Sequence, residues 1–254
     1  GPVEDGSDGN RILLAPFVLV WMNPQAPDDA PYVVRCDAAR VQFENPVKLG
    51  FDSPNPGRIR AAAFDGVVSI SGPNGLFLET QNLDFSEESL TLYTPHTVSF
   101  AFGPTADSQA QVKGSAGELQ VNFLPSYEGI LRRDLPRIGG IERVRLRQDV
   151  TLDCVYEEKV SGKAPRLTTA HITCDDSLEY NAADQRATLL RNVVVKRHTG
   201  SEKKPDQTDS LHCHQLSLQF DERTETSIAQ SATSTETRSD SKDKLENPFA
   251  GLRF

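Results

Sequence analysis

The hydrophobic pattern of this chain recurs as an octet. A small or apolar residue is followed five positions later by an aliphatic residue, then by one polar residue and an aromatic ring. The copies are CDAARVQF (36–43), LETQNLDF (78–85), AGELQVNF (116–123) and CHQLSLQF (213–220), with a shortened copy CDDSLEY (174–180). The last three positions alternate as a β-strand does, which places the aliphatic and aromatic side chains on one face. Most copies begin about forty residues apart, a spacing typical of stacked supersecondary units.

Segments between the octets are also strand-like. VVSIS (67–71), TVSFAF (97–102), VTLDCV (150–155) and VVVK (193–196) are rich in β-branched residues and alternate in polarity. Helical periodicity is scarce, and the 17 Gly and 16 Pro residues are spread along the chain as turn signals. We therefore predict an all-β fold of repeated antiparallel strand units in one elongated body.

Composition changes divide the chain into four parts. Residues 1–10 are polar and Gly-rich, and residues 223–254 are dominated by Ser, Thr and charged side chains, so both are predicted to be disordered tails. Between them we predict a first β module over residues 11–140 and a second over residues 141–222, continuous with the first. Residues 247–254 of the tail again contain aromatic side chains, and we predict that they are simply the end of the tail.

Charge and hydropathy argue against nonspecific nucleic-acid binding and against a membrane-spanning helix. The formal charge of −9 disfavours nonspecific nucleic-acid binding, which needs clustered Lys and Arg. The apolar run from Ile12 to Met22 is interrupted by Pro16 and is about half the length of a membrane helix, so it is predicted to be the first strand. Gly1-Pro2 has the form of a scar from tag cleavage, so the missing signal peptide says nothing about export.

The four cysteines, Cys36, Cys154, Cys174 and Cys213, leave three interpretations open. Three of them occupy the first octet position, where other copies have Leu78 or Ala116, and a buried thiol suits such a slot. Disulfides between neighbouring strands are the second interpretation. A metal site that includes the histidines at 171, 212 and 214 is the third, but alternation places Cys213 on the opposite face from its two neighbours, which argues against zinc. We expect no metal and no cofactor.

Two segments resemble a known family. In SLEYNAADQRATLLRNVVV (177–195), a strand that ends in an aromatic residue is followed by a turn, an "ATL" strand and an "NVVV" strand. This resembles the OstA-like repeat of the periplasmic lipopolysaccharide-transport proteins, except that Arg191 replaces the usual Gly. The segment GVVSISGPNGLFLETQNLDFSEESLTLYTPHTVSF (66–100) is similar to the inner-membrane-anchored member of that pathway. Further strands, VRLRQDVTLDC (144–154) and RLTTAHITC (166–174), read as the start of the second module.

This resemblance implies an elongated β-jelly roll, or β-taco, whose two facing sheets shelter the acyl chains of lipopolysaccharide or a related lipid. It further implies a periplasmic, non-enzymatic role in outer-membrane biogenesis, as a bridge, an anchor component or a regulator. As an anchor component, the protein would be held at the inner membrane by a removed N-terminal segment. The other bridge components would pair with it through edge strands. Which lipid it carries is left open.

The alternation assigns the residues that would line the groove. In the first half these are Val68, Ile70, Leu83, Phe85, Leu90, Leu92, Val98, Phe100, Leu119, Val121 and Phe123. In the second half they are Val144, Leu146, Val150, Leu152, Leu178, Tyr180, Leu189, Val193, Val195, Leu216, Leu218 and Phe220. Each CH₂ of an acyl chain buried there would contribute about 0.8 kcal/mol. At any single position, an ordinary core role is the alternative.

Polar positions and sheet edges complete the prediction. Arg143, Arg145 and Arg147 alternate with the groove residues and should form a solvated charge ladder on the outer face. The N-terminal edge, at 12–22 or 32–36, and the C-terminal edge, at 211–220, would offer unpaired backbone groups to another strand. Head-to-tail self-association through these unlike edges would yield filaments, and the acidic tail would block the C-terminal edge.

Motifs for catalysis are absent from the sequence. It contains no GxSxG, GxxxxGK or HExxH, and the adjacent carboxylates of Asp175 and Asp176 should point to opposite faces of a strand. We therefore expect no enzymatic activity. Two alternatives to lipid transport remain: a ligand-free β scaffold or adhesion module, and, less favoured, a polysaccharide-active enzyme of the β-helix type.

Overall fold

A computed structural model describes residues 3–4, 9–22, 30–47, 57–103, 111–126, 138–158, 166–201 and 204–219. The all-β prediction is confirmed: the described strands form one 17-stranded antiparallel sheet, accompanied by a single 3₁₀ turn at Pro73–Gly75. The strands are β1 (Val3–Glu4), β2 (Arg11–Leu14), β3 (Phe17–Trp21), β4 (Tyr32–Cys36), β5 (Ala38–Phe43), β6 (Ile59–Ser71), β7 (Phe77–Ser86), β8 (Thr91–Thr94), β9 (Val98–Phe102), β10 (Gln111–Ala116), β11 (Glu118–Pro125), β12 (Ile138–Arg147), β13 (Val150–Glu158), β14 (Arg166–Cys174), β15 (Ser177–Asn181), β16 (Arg186–Ser201) and β17 (Lys204–Gln219).

Pairing divides the strands into two layers. Layer 1 runs β1, β2, β5, β6, β7, β8, β11, β12, β15, β16, β17, and layer 2 runs β3, β4, β6, β7, β9, β10, β13, β14, β16, β17. The long strands β6, β7, β16 and β17 contribute one half to each layer. Because β7 and β16 belong to both layers, the ten strands from β7 to β16 close into a ring.

The chain passes from one layer to the other along a common line, which we call the fold line. Left-handed backbone conformations mark it, at Gly66 (φ 81°), Asn82 (φ 48°), Gln148 (φ 63°), Arg191 (φ 68°) and Asn192 (φ 49°). Such angles are unfavourable for most L-residues, and they reverse the direction in which a strand would otherwise continue. A Cβ on Gly66 would also meet the Asp37 carboxylate, so glycine is required there.

Polar groups stabilise the fold line. The Gly66 N–H donates to Asn82 Oδ1 (3.0 Å), and the Asn192 amide donates to Asp175 Oδ2 (2.6 Å). The Gln148 N–H donates to the carbonyl of Asp176 (2.9 Å). The backbone N–H groups of Gly66 and Gln148 are thus satisfied where the strands bend, and a side-chain hydrogen bond links Asn192 to Asp175 across the fold line.

The apolar interior between the layers consists of two clusters. The first contains Ile12, Phe17, Cys36, Ala39, Val41, Ala62, Val68 and Leu83. The second is larger and extends from Val98 on β9 to Val193 on β16. Leu92 packs against both, so the clusters meet at β7 and β8. The predicted module boundary at residue 140 falls instead within β12, and both layers contribute to each cluster.

Three predictions concern the two ends of the chain and the first predicted strand. Val3 and Glu4, in the segment predicted to be a disordered tail, pair with Leu13 and Ile12 of β2. The tail 223–254 and Phe220 lie outside the described residues. Ile12 to Met22 contains two strands, β2 and β3, separated at Ala15-Pro16. No helix in the described ranges has the length and apolarity that a membrane span requires.

Candidate functional site

The recurring octet is a strand that crosses or approaches the fold line. In three of the copies the first residue (36, 116 or 174) ends a layer 2 strand, and the aliphatic and aromatic residues follow on a layer 1 strand. The aliphatic positions Val41, Leu83, Val121, Leu178 and Leu218 all belong to the apolar clusters. The aliphatic residue of each octet thus faces the interior on the layer 1 side of the fold line, and the repeat reflects this common position.

The structure places nearly all predicted groove residues between the layers. Val68, Ile70, Leu83 and Phe85 belong to the first cluster, and Leu92 packs against both. The second cluster includes Val98, Phe100, Leu119, Val121, Phe123, Val144, Leu146, Val150, Leu152, Leu178, Tyr180, Leu189, Val193, Val195, Leu216 and Leu218. Leu90 belongs to neither cluster, because it lies in the β7–β8 turn with a left-handed backbone (φ 50°).

Burial of the interior side chains decreases from the fold line toward the strand ends. On β11, Leu119 and Val121 are buried but Phe123 is half-buried, and on β12 Leu146 is buried but Val144 is half-buried. The same order holds on β9, from Val98 to Phe102. On these three strands the interior side chains are thus buried beside the fold line and half-buried at the strand ends.

We call the loosely packed strip at the strand ends the central mouth. Its half-buried apolar side chains are Phe85, Leu92, Phe123, Ile141 and Val144 from layer 1, and Leu78, Phe102 and Tyr156 from layer 2. Beyond it, Thr168 of β14, Tyr180 of β15 and Ala187 of β16 are buried, whereas Val195 of β16 and Leu216 and Leu218 of β17 are half-buried. We restrict the name central mouth to the eight side chains given above.

A charge quartet closes the interior on the N-terminal side of the mouth. Glu44 accepts hydrogen bonds from Arg58 (3.2 Å) and Arg60 (2.8 Å), and Glu87 lies 3.5 Å from Arg58 and 3.0 Å from Arg60. The side chains of Arg58 and Glu87 are only 4% and 3% exposed. Sequence reasoning missed this site, because charged residues at strand ends are ordinarily solvated; the alternation of Arg58 and Arg60 with inward-facing Ala62 was the available signal.

Arginines on β12 form the predicted ladder on the outer face of layer 1. Arg145 donates two hydrogen bonds to Glu179 Oε2 (3.0 and 2.6 Å), and Arg143 lies 3.4 Å from the other oxygen of the same carboxylate. Arg147 pairs with Glu118 at 2.8 Å. These cations face away from the apolar interior and are matched by acids, so they are not positioned to meet a ligand at the central mouth.

All four cysteines are free thiols. The strand register pairs Cys154 with Ala170, Cys174 with Val150, and Cys213 with Val193. No two cysteines are therefore cross-strand neighbours, and Cα atoms more than about 7 Å apart cannot be bridged without backbone movement. The buried-thiol interpretation is the one that agrees with this geometry. In the described part of the chain no group of three or more His, Cys, Asp or Glu side chains is placed to hold a metal ion.

We expect the thiols to differ in reactivity. Burial raises the pKa of Cys154 to about 12 and that of Cys174 to about 11, and burial also raises the pKa of Cys36. At pH 8 only about one Cys154 side chain in 10⁴ is then a thiolate, the reactive form. A thiol-reactive dye should label the half-exposed Cys213 first and Cys36, Cys154 and Cys174 only after denaturation. Rapid native labelling of Cys154 would contradict the buried position.

The same pKa values predict a loss of stability in alkali. The ordinary thiol pKa is 9.0, so an unfolded chain releases the Cys154 proton before the folded chain does. Between pH 9 and about 12 unfolding therefore releases protons, and rising pH favours the unfolded state. Urea titrations at increasing pH should show the free energy of unfolding falling in that range, and falling less after Cys154→Ala.

Two shallow depressions lie on the outer surface rather than between the layers. One, of about 370 Å³, is lined by Asp84, Phe85, Ser86, Thr91, Tyr93 and Gln120. The other, of about 450 Å³, is lined by Asn192, Val193, Val194, His212, Cys213 and His214, at the bend between β16 and β17. The candidate interior site is thus a packed wedge, which a ligand would have to open.

Comparison with known proteins gives no further guidance. No protein-family model, no curated protein and no solved structure matches this chain. The site must therefore be interpreted from its own geometry.

Proposed function

We propose that this protein shelters the acyl chains of a lipid, lipopolysaccharide or a related molecule, between its two β layers and acts without enzymatic chemistry. The observation that carries the proposal is the central mouth. There, half-buried aromatic and aliphatic side chains from both layers border the fully buried side chains beside the fold line. A contiguous apolar strip that reaches solvent often marks a binding site for a ligand or partner.

Entry at the mouth is supported by the packing gradient. The layers share fewest fully buried side chains at the strand ends, so separating them there costs less than separating them at the fold line. An acyl chain that replaces the lost contacts gains about 0.8 kcal/mol for each CH₂ it buries. The elongated β-jelly roll that the OstA-like resemblance implies would supply such a wedge, and with it a periplasmic role in transport to the outer membrane.

A charge placed at the mouth tests the proposal. We expect Phe123→Glu to weaken binding of lipopolysaccharide or phospholipid more than tenfold, because the carboxylate would have to be desolvated against an acyl chain. The matched control is Leu124→Glu, since Leu124 is the adjacent residue but is 46% exposed. Displacement of a fluorescent acyl probe gives the affinity, and circular dichroism verifies that both variants fold.

Native mass spectrometry and photo-crosslinking locate the bound lipid. Adducts of acyl-lipid mass should appear on addition of lipopolysaccharide, with crosslinks from probes at Leu92 and Phe123 and none from probes at Leu189 and Val193 beside the fold line. If no adduct forms and Phe123→Glu behaves like Leu124→Glu, the interior is a packed core. The fully buried interior side chains favour that second function, a ligand-free β scaffold.

Edge strands support a proposed role in assembly. In the described ranges β3 pairs only with β4 and β17 only with β16, so each presents unpaired backbone donors and acceptors. The β3 edge is also apolar: Val18 and Val20 are each 57% exposed, and Met22 is 58% exposed. We infer that the β3 edge of one copy accepts the β17 edge of another copy, or of another bridge component, by strand addition.

Self-association should therefore depend on β3. We expect Val20→Lys to reduce the concentration-dependent increase in mass seen by light scattering, because a lysine on an edge strand opposes strand addition. Val67→Lys serves as the control, since Val67 is 50% exposed but lies on a strand paired on both sides. Equal effects of the two variants would mean that general surface polarity, and not the β3 edge, governs association.

A further inference from the structure

The outer face of layer 1 carries a depression that adjoins the central mouth at Phe85 but is otherwise lined by outward-facing polar side chains. Asp84, Tyr93 and Gln120 lie side by side on β7, β8 and β11, since Asp84 pairs with Tyr93 and Tyr93 with Gln120. Nearer the strand ends, Ser86 pairs with Thr91. All five side chains alternate with interior residues and face outward, and they line the depression of about 370 Å³.

Small side chains make the hollow. Ala61 and Ala63 of β6 stand opposite Ser86 and Asp84 on the outer face, so one side of the depression has only methyl groups. Tyr93 rises beside them with 36% of its surface exposed. The result is a shallow concavity in which a partly exposed aromatic ring lies next to a carboxylate, an amide and two hydroxyls.

The hydrogen-bonding groups here are not all consumed by the protein. Among the described residues Asp84 makes no hydrogen bond or ion pair that would occupy its carboxylate, and the same is true of the Tyr93 hydroxyl. Gln120 uses its amide N–H₂ to donate to Asn122 Oδ1 (3.2 Å), which leaves its carbonyl oxygen as an acceptor. The depression is therefore rich in acceptors directed at solvent.

Its charge excludes anionic ligands. The guanidinium groups along the same rows are paired with acids: Arg143 and Arg145 with Glu179 on one side, and Arg40 with Asp65 on the other. Asp84 therefore gives the depression a negative charge, which disfavours the binding of phosphate, sulfate and nucleic acid. A peptide strand is disfavoured as well, because β7, β8 and β11 are paired on both sides and offer no free edge.

We propose that this depression binds a neutral pyranose unit of a glycan. A sugar ring presents a flat face of C–H groups, which packs on an aromatic ring, and a rim of hydroxyls that both donate and accept. The Tyr93 ring would pack against the C–H face, while Asp84 and the Gln120 carbonyl accept hydrogen bonds from neighbouring hydroxyls. This site is independent of the interior proposed for acyl chains.

Chemical-shift mapping of the full chain tests the site. The probes are the methyl glycosides of glucose, galactose, mannose and N-acetylglucosamine, with methyl glucuronide as the charged comparison. At least one neutral glycoside should shift amide signals of β7, β8 and β11 with a dissociation constant on the order of 1 mM, as expected for a shallow site. The glucuronide should bind more weakly, because its carboxylate meets Asp84.

Variants assign the binding to these residues. Tyr93→Ala should weaken the neutral glycoside at least tenfold, while Tyr93→Phe retains the ring and most of the affinity. Asp84→Asn should reduce the preference of the site for the neutral glycoside over methyl glucuronide, because the negative charge that repels the glucuronide carboxylate is removed. Thr188→Ala, in the same outer row but on β16, should change nothing. The proposal is overturned if no neutral glycoside shifts these amide signals at about 10 mM, ten times the expected dissociation constant. It is also overturned if Tyr93→Ala binds the glycoside with the same affinity as the parent protein.

Discussion

Glu87→Gln is expected to destabilise the protein by about 3 kcal/mol or more, although only a negative charge is lost. Arg58 is 4% exposed, and its guanidinium lies 3.5 Å from the Glu87 carboxylate. Without the Glu87 charge, the guanidinium groups of Arg58 and Arg60 would share the single carboxylate of Glu44, although Arg58 is desolvated. Urea unfolding should show a lower midpoint with an unchanged dependence of free energy on denaturant.

An exposed pair supplies the control for this prediction. Arg40 and Asp65 are 2.8 Å apart on the surface, with side chains 60% and 39% exposed. Asp65→Asn should cost at most about 1 kcal/mol, because solvent screens such pairs. If Glu87→Gln and Asp65→Asn cost the same, the quartet is hydrated in solution and does not close the N-terminal side of the mouth.

Leu189→Ala should destabilise the fold by about 2–5 kcal/mol, the cost of a cavity in a well-packed core. Leu189 is 0% exposed and belongs to the second cluster. Leu92→Ala removes the same atoms from the central mouth, where the side chain is only half-buried, and should cost about 1 kcal/mol. Thermal or urea unfolding of the two variants compares the packing of the fold line with that of the mouth.

This pair of variants also bears on the proposed function. A wedge that opens at the strand ends predicts the unequal costs just given, and it predicts that Leu92→Ala alters acyl-probe binding while its fold is nearly unchanged. Equal losses of stability would indicate a uniformly packed sandwich, and acyl chains would then have no preferred point of entry.

Much of the interior could be predicted from the alternation of residue types. Val98, Leu119, Leu146 and Leu178 were assigned inward from local pattern alone, and all are buried in the second cluster. Alanines such as Ala39 and Ala187 were missed although they are almost fully buried. Alanine carries little hydrophobic signal, and only the close approach of another strand shows that no larger side chain would fit.

The alternation of residue types was enough to predict most strands and the inward face of most aliphatic residues, although Leu90 lies in a turn and the run from Ile12 to Met22 forms two strands. These properties follow from a period of two residues, which is local along the chain. At Arg191 the OstA-like repeat that the segment resembles has glycine, and the structure shows a left-handed backbone there, with a φ of 68°.

How those strands are shared between the layers could not be read from the sequence. The fold line, the meeting of the two clusters at Leu92, the charge quartet and the central mouth depend on pairings between distant segments. A strand pattern is the same whether its apolar face meets a packed layer or an open edge. Charged residues likewise have one sequence signature whether they are solvated or, like Glu87, buried by a turn from another part of the chain.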